Sequence, residues 1–162
     1  ICFIPADNPN YRRKGIMELE IAIAKENTGI TYLTSGKRKL ELGQNKQLHL
    51  GEIADEKTMN LCYNACNVMA FPSLAENFSN TLVEATVTGC PVVCFNAGGN
   101  NEIINTNESG VVLEINNYTE MIKYLINYST SDEQRRKLSK TNTENTYSIE
   151  KIIEKFISLY KK

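Results

Sequence analysis

Short apolar runs recur along the chain, and each is followed by a polar or glycine-rich stretch and then by a segment with helical spacing. Ile1–Pro5, Ile30–Ser35, Gln47–Leu50, Val68–Phe71, Pro91–Phe95 and Gly110–Leu113 read as strands. Val68–Met69–Ala70–Phe71 is apolar throughout, as a parallel strand covered on both faces requires. Ile16–Asn27 carries two signals. Met17, Leu19, Ile21 and Ile23 alternate as in a strand, but the Glu, Ala and Lys content and the Asn27–Thr28–Gly29 stop favour a helix. Further helices are predicted over Asp55–Ala65, capped by Asp55, and over Asn80–Thr88, Asn101–Asn105, Thr119–Tyr128 and Asp132–Asn145. Beyond them lies an amphipathic helix with Ile149, Ile152, Ile153, Phe156, Ile157 and Tyr160 on its apolar face. Lys37–Lys46 is charged and without a clear period, which predicts an exposed loop. Strands alternating with helices define an α/β protein with a parallel sheet of about six strands and helices on both faces.

Ligands of such sheets sit beyond the carboxyl ends of the strands. The loops with the most chemical character, Ala6–Gly15, Gly51–Asp55, Pro72–Asn80 and Asn96–Asn101, all come after a predicted strand. The third is the richest. Pro72–Ser73 breaks the apolar run, and Ser79 or Asn80 can cap the next helix, since either side chain can accept from its free N–H groups. Glu76 and Glu84 bracket this junction with seven residues between them. A helix N-terminus beyond a parallel strand suits an anion. Two carboxylates beside an anion site make sense only if the ligand also carries hydroxyls. A sugar nucleotide has both, a diphosphate for the helix end and ribose and sugar hydroxyls for the acids.

Composition narrows the field. A chain of 162 residues suits one domain with a sizeable core, and a formal net charge of −1 argues against nonspecific nucleic-acid binding. No apolar run reaches the length of a membrane span and no secretory signal precedes the first strand. Because the chain opens on Ile1 within a predicted strand, it reads as cut from something longer. The 5 cysteines leave one unpaired in any disulfide scheme, which favours a reducing compartment. The Cys62/Cys66 spacing could place a metal pair on a helix face, but small buried hydrophobes is the better reading for all five. His49, the only histidine, lies in a strand and reads as structural, which removes Ser-His-Asp chemistry. Asp occurs only at Asp7, Asp55 and Asp132, so there is no Asp-x-Asp pair to hold a metal-bound diphosphate. Neither a dinucleotide G-x-G-x-x-G nor a P-loop is present.

The stretch Pro72–Ile104, PSLAENFSNTLVEATVTGCPVVCFNAGGNNEII, resembles the donor-binding core of retaining glycosyltransferases of family 4. Those enzymes have a B-type fold of two Rossmann-like domains and a Glu-x7-Glu pattern. The order of strand, Pro-Ser, spaced acids, Gly-Cys-Pro turn, apolar strand and Gly-Gly-x-x-Glu carries the likeness, with weaker support almost to both ends of the chain. Two departures stand out. The family usually has glycine on both sides of Phe78, where this chain has Asn77 and Ser79, which constrains backbone approach to a donor. Many members place an arginine about where Asp7 or Asn8 stands, and here Arg13 could substitute.

The resemblance implies a role for each matched residue. Lys14, with Arg13 beside it, would neutralise the diphosphate. Glu84 would accept from the ribose hydroxyls and Glu76 from those of the transferred sugar. Phe78, Ser79 and Thr81, with Asn80 at the helix start, would present backbone N–H groups to sugar and phosphate. Ile53 or Ala54 would pack against the base. The Phe78 side chain reads equally well as a core anchor, and Glu102 as a cap for its short helix.

For the whole chain, residues 1–162, the resemblance implies the donor-binding half of a metal-independent retaining glycosyltransferase that uses a UDP- or GDP-sugar and no other cofactor. A saccharide or lipid-linked acceptor would be held by an N-terminal domain absent here, in bacterial surface-polysaccharide synthesis, in the cytoplasm or at the cytoplasmic face of the inner membrane. Peripheral membrane association of a longer enzyme fits the same picture. A noncatalytic sugar-nucleotide-binding module and a nucleotide-sugar epimerase of similar fold are the alternatives.

Overall fold

The computed structural model describes residues 1–104, 109–131, 153, 157 and 158. Six parallel strands form one sheet: β1 (Cys2–Pro5), β2 (Thr31–Ser35), β3 (Lys46–His49), β4 (Val68–Phe71), β5 (Val92–Phe95) and β6 (Gly110–Leu113). Their order across the sheet is β3-β2-β1-β4-β5-β6. The chain winds outward from β1 to β3, then returns to lay β4 on the other side of β1. The strand order therefore reverses between β1 and β4, where a crevice opens at the carboxyl ends of open α/β sheets.

Alternation along each strand sends side chains to two cores. Cys2, Ile4, Ala70, Val93 and Phe95 face one side, where α1 (Ile16–Ala24) and α5 (Tyr118–Thr130) cover them. Phe3, Met69, Phe71, Val92 and Cys94 face the other, under α2 (Glu56–Ala65), α3 (Asn80–Val87) and the short α4 (Asn100–Ile103). The central strands are buried on both faces, which is why they read as unbroken apolar runs. All five cysteines are buried in the two cores and none forms a disulfide with another, as small hydrophobes. His49 is satisfied by Thr34, Oγ1 to Nδ1 3.0 Å.

The helix ends obey their sequence signals. Asp55 caps α2, accepting from the Thr58 amide at 2.8 Å, and Ser79 rather than Asn80 caps α3, accepting from Leu82. The first helix is shorter than expected, ending at Ala24 rather than Asn27, with the Lys25 and Glu26 amides both turned to the Ile23 carbonyl at its end. Of the predicted Asn101–Asn105 helix, Asn105 lies outside the described residues. So do almost all of the predicted Asp132–Asn145 and Ile149–Tyr160 segments.

One expectation holds only in part. The stretch between β2 and β3 is irregular and largely exposed, but it is anchored to the core at specific points. Leu40 and Leu42 are buried in the α1-side core. Arg38 makes a bidentate pair with Glu20 on α1. The Asn45 amide nitrogen lies 3.0, 2.8 and 2.9 Å from the carbonyls of Ile23, Glu26 and Leu42, while its oxygen accepts from Thr28. Two isolated leucines and one amide hub leave no periodic trace in a sequence, because no regular element carries them.

Candidate donor site

Three loops converge over the β1/β4 crevice. The loop after β1 ends in a single 3-10 turn, Arg12–Lys14, and Gly15, at φ 63°, then opens α1. That glycine is required twice over. Its backbone is left-handed, and a Cβ there would stand 2.0 Å from the Pro72 carbonyl oxygen. The close approach welds the Lys14 loop to the loop after β4, and the Leu74 amide adds a bond to the Arg13 carbonyl at 2.7 Å. On its far side the same loop is braced by Gly98, where a Cβ would meet the Glu76 carbonyl oxygen at 1.8 Å, and by the Gly99 amide, which donates to the Asn77 carbonyl at 2.8 Å. The Gly-Gly pair is thus a close backbone contact that props up the Glu76 loop.

The result is a cavity of about 290 Å³ lined by Arg13, Lys14, Ile53, Thr81 and Glu84 among others. It also takes in Ile16 which, like Thr81, lies in the first turn of its helix, so that two helix N-termini border it. Asp7, Asn8 and Glu52 lie on its wall. Along Ile53, Met59, Tyr63 and Glu84 it joins a second hollow of about 520 Å³ against α2 and α3.

Glu76 does not line the cavity but is tied to its wall. Lys14 Nζ donates to its Oε1 at 2.6 Å and Arg13 stands 3.9 Å from the same oxygen. Ser73 Oγ lies 2.7 Å from that oxygen and 3.1 Å from the Arg13 carbonyl. Burial pushes the Glu76 carboxyl upward, but the Lys14 and Ser73 hydrogen bonds and the two nearby cations outweigh it and hold the group below its ordinary value. Lys14 also lies over the Phe71 ring, 5.6 Å from its centroid. Glu84 is exposed on α3 and accepts from the Tyr63 hydroxyl at 3.0 Å.

The structure thus brings Lys14, Arg13, Glu76, Ile53, Thr81 and Glu84 together. Ser79 is committed to capping, and Asn80 begins the helix on its exposed side. Phe78 is not a core anchor: it is 47% exposed, with its ring edge against Gly99. The glycines expected beside it are not needed here. Asn77 and Ser79 both avoid the left-handed region, Asn116 being the one non-glycine with positive φ among the described residues. Glu102 sits exposed in the first turn of α4, whose start has no side-chain cap. Sequence reasoning does not single out Ser73 or Tyr63 as site residues. For Tyr63 one signal exists, since a tyrosine on the apolar face of a helix needs a partner for its hydroxyl.

Chemically, the wall offers two cations and two helix ends to an anion and carboxylates to hydroxyl donors. That combination suits a phosphorylated ligand that also carries hydroxyls. Residues 32–145 match the family model for glycosyl transferases group 1. This chain belongs to that family, and its fold is that of the C-terminal domain of B-type glycosyltransferases. It is 31% identical over 101 residues to a capsular polysaccharide biosynthesis glycosyltransferase, CapM, of Staphylococcus aureus, covering 60% of this chain and 27% of CapM. The C-terminal domain of the group 1 glycosyltransferase LpcC from Francisella tularensis superposes with a TM-score of 0.70 at 21% identity, covering 91% of this chain and 86% of that domain. HepE of Anabaena, solved with UDP-glucose, superposes with a TM-score of 0.65 at 24% identity over 87% of this chain and 42% of HepE. The chain spans about a quarter of the length of the curated relatives it matches. Among the described residues, no helix is long and apolar enough to cross a membrane.

Proposed function

We propose that this chain is the donor-binding half of a retaining, metal-independent glycosyltransferase, moving a hexosyl residue from a UDP- or GDP-sugar to a saccharide or lipid-linked acceptor. The observation that carries the reading is the convergence of Lys14, Arg13, the α3 N-terminus and Glu84 around one cavity at the sheet's switch point, with Glu76 tied to the Lys14 and Arg13 of its wall. Lys14 and the helix amides of Asn80 and Thr81 meet the diphosphate, where leaving-group charge develops as the glycosidic bond to phosphate breaks. Glu84 accepts from the ribose. Glu76, now paired to Lys14, exchanges that partner for the hydroxyls of the sugar. Ile53 packs on the base, and the amides of Phe78 and Ser79 border the sugar.

The acceptor is held by a further domain of a longer protein, consistent with the share of its relatives that the chain covers. CapM's name and the UDP-glucose seen in HepE support surface-polysaccharide synthesis from a nucleotide-linked donor, and we place that reaction in the cytoplasm.

Two mutants test the assignment. Glu84→Ala weakens binding of bare nucleoside diphosphate and sugar nucleotide alike, whereas Glu76→Ala weakens the sugar nucleotide and spares the bare nucleotide. Each loss is about tenfold to a hundredfold, the worth of a charged hydrogen bond of roughly 1.5–3 kcal/mol. Titration calorimetry of both with both ligands decides. Equal losses in the Glu76 mutant, or none in the Glu84 mutant, refute the assignment. Donor binding also survives chelator, and a strict need for magnesium or manganese would contradict the metal-independent reading.

A further inference from the structure

Glu84 stands on the exposed side of α3, where a carboxylate with three torsions would ordinarily wander among rotamers. Here it has a fixed partner. Tyr63, on the neighbouring helix α2, donates its hydroxyl to Glu84 Oε2 at 3.0 Å. Tyr63 itself is rigid: it is 2% exposed, and its ring packs edge-on against Phe3 of β1, with centroids 5.8 Å apart and planes at 72°. A tyrosine has only two side-chain torsions, and both are set by that packing. Burial, with the charge of Glu84 next, raises the Tyr63 pKa, so the phenol stays a donor throughout the neutral range. Both residues border the site cavity and the hollow beside it.

We propose that Tyr63 is a positioning residue for ribose recognition. It occupies one acceptor position of the Glu84 carboxylate and thereby presents the remaining ones, pre-oriented, to the vicinal hydroxyls of a nucleoside diphosphate. A carboxylate has about four such positions, so one internal bond still leaves enough for a diol. The clamp couples the Phe3–Tyr63 core contact to the ligand, so that the rigidity of the sheet reaches a surface carboxylate through one hydroxyl. The proposal rests on the reading that Glu84 holds ribose.

The test uses the 162-residue chain as wild type, Tyr63→Phe, Glu84→Ala and the double variant. Titration calorimetry is run with UDP and GDP and with their 2′,3′-dideoxy counterparts, and a thermal melt checks folding. Phenylalanine keeps the ring packing and removes only the hydroxyl. Tyr63→Phe is expected to lower affinity for the ribonucleotide about three- to tenfold, the cost of re-ordering one side chain on binding. Affinity for the dideoxynucleotide should stay within about twofold, a change near the noise of one side-chain contact. In the Glu84→Ala background, Tyr63→Phe should change neither. A merely structural role for Tyr63 would lower both ligands together, and that result overturns the clamp. So does wild-type discrimination in Tyr63→Phe while Glu84→Ala has lost it, an outcome that leaves the donor-site reading standing. If Glu84→Ala keeps the preference for ribose, or if wild type binds neither nucleotide, both the clamp and that reading fall.

Discussion

Glu20 and Glu76 are both partly buried carboxylates set against cations, and the two are held in opposite ways. Glu20 spreads its bonds over both oxygens: Arg38 donates to Oε1 at 2.9 Å and to Oε2 at 2.8 Å, and the Glu41 amide adds a third bond to Oε1. Fork meets fork, and only 8% of the Glu20 side chain is exposed. Glu76 does the reverse. Lys14, Ser73 and the more distant Arg13 all converge on Oε1. Its principal cation is a flexible ammonium, 34% exposed and set in the cavity wall. Both carboxyls lie below their ordinary pKa, Glu20 chiefly through the Arg38 hydrogen bonds against the opposing effect of burial, Glu76 because its hydrogen bonds and cations overcome burial. On the proposed assignment of Glu76, a depressed pKa does not by itself separate a brace from a binding group. Saturation does: a bidentate, fully committed pair pins a loop, whereas a single-point pair on one oxygen can trade partners with a ligand.

Removing the brace should have the largest effect. Glu20→Ala leaves the Arg38 guanidinium and the Glu41 amide without their partner and loosens the segment that buries Leu40 and Leu42. We expect a stability loss of about 2 kcal/mol, discounted for the exposure of Arg38. Nucleotide affinity in the folded protein should be unchanged. Urea unfolding paired with calorimetry checks this, and a loss of affinity at constant fold would erase the distinction between the two carboxylates.

Lys14→Ala should invert the pattern. Stability should fall by less than about 1 kcal/mol, because the ammonium is a third exposed. Affinity for a nucleoside diphosphate should drop about tenfold, on the order of one charge-assisted contact. If Lys14→Ala unfolds the protein at lower urea than Glu20→Ala does, the pair with Glu76 is a brace after all.

The smallest effect concerns pH. A carboxyl whose folded pKa is depressed adds stability above its unfolded value, and that stability is lost as pH falls through the folded value. Glu20 and Glu76 should therefore both contribute to acid destabilisation below the ordinary carboxylate range. The Glu20→Gln variant should flatten this acid limb more than Glu76→Gln, since Glu20 has more bonds to lose. Thermal melts in steps from neutral to acid pH measure the slopes, and equal slopes would mean that the two groups are equally committed.

Much of this architecture is written in short windows of the chain. The apolar run Val68–Phe71, the Asp55 and Ser79 caps and the alternation of strands and helices depend on neighbours a few residues apart, and periodicity and capping chemistry record such relations directly. The spaced acids, Lys14–Gly15 and Gly98–Gly99 can likewise be picked out as chemistry, though not as geometry. Only the tertiary structure decided that Lys14 and Glu76, 62 residues apart, share a hydrogen bond, that Ser73 joins them, and that Tyr63 reaches Glu84 from another helix. It also decided that Leu40 and Leu42 of the otherwise largely exposed Lys37–Lys46 loop enter the core. These contacts hang on the placing of β4 beside β1 and on backbones that meet closely at Gly15 and Gly98. Strand order and register are properties of the packed sheet, whereas propensity belongs to the local chain, and a site built across a switch point is made of the former.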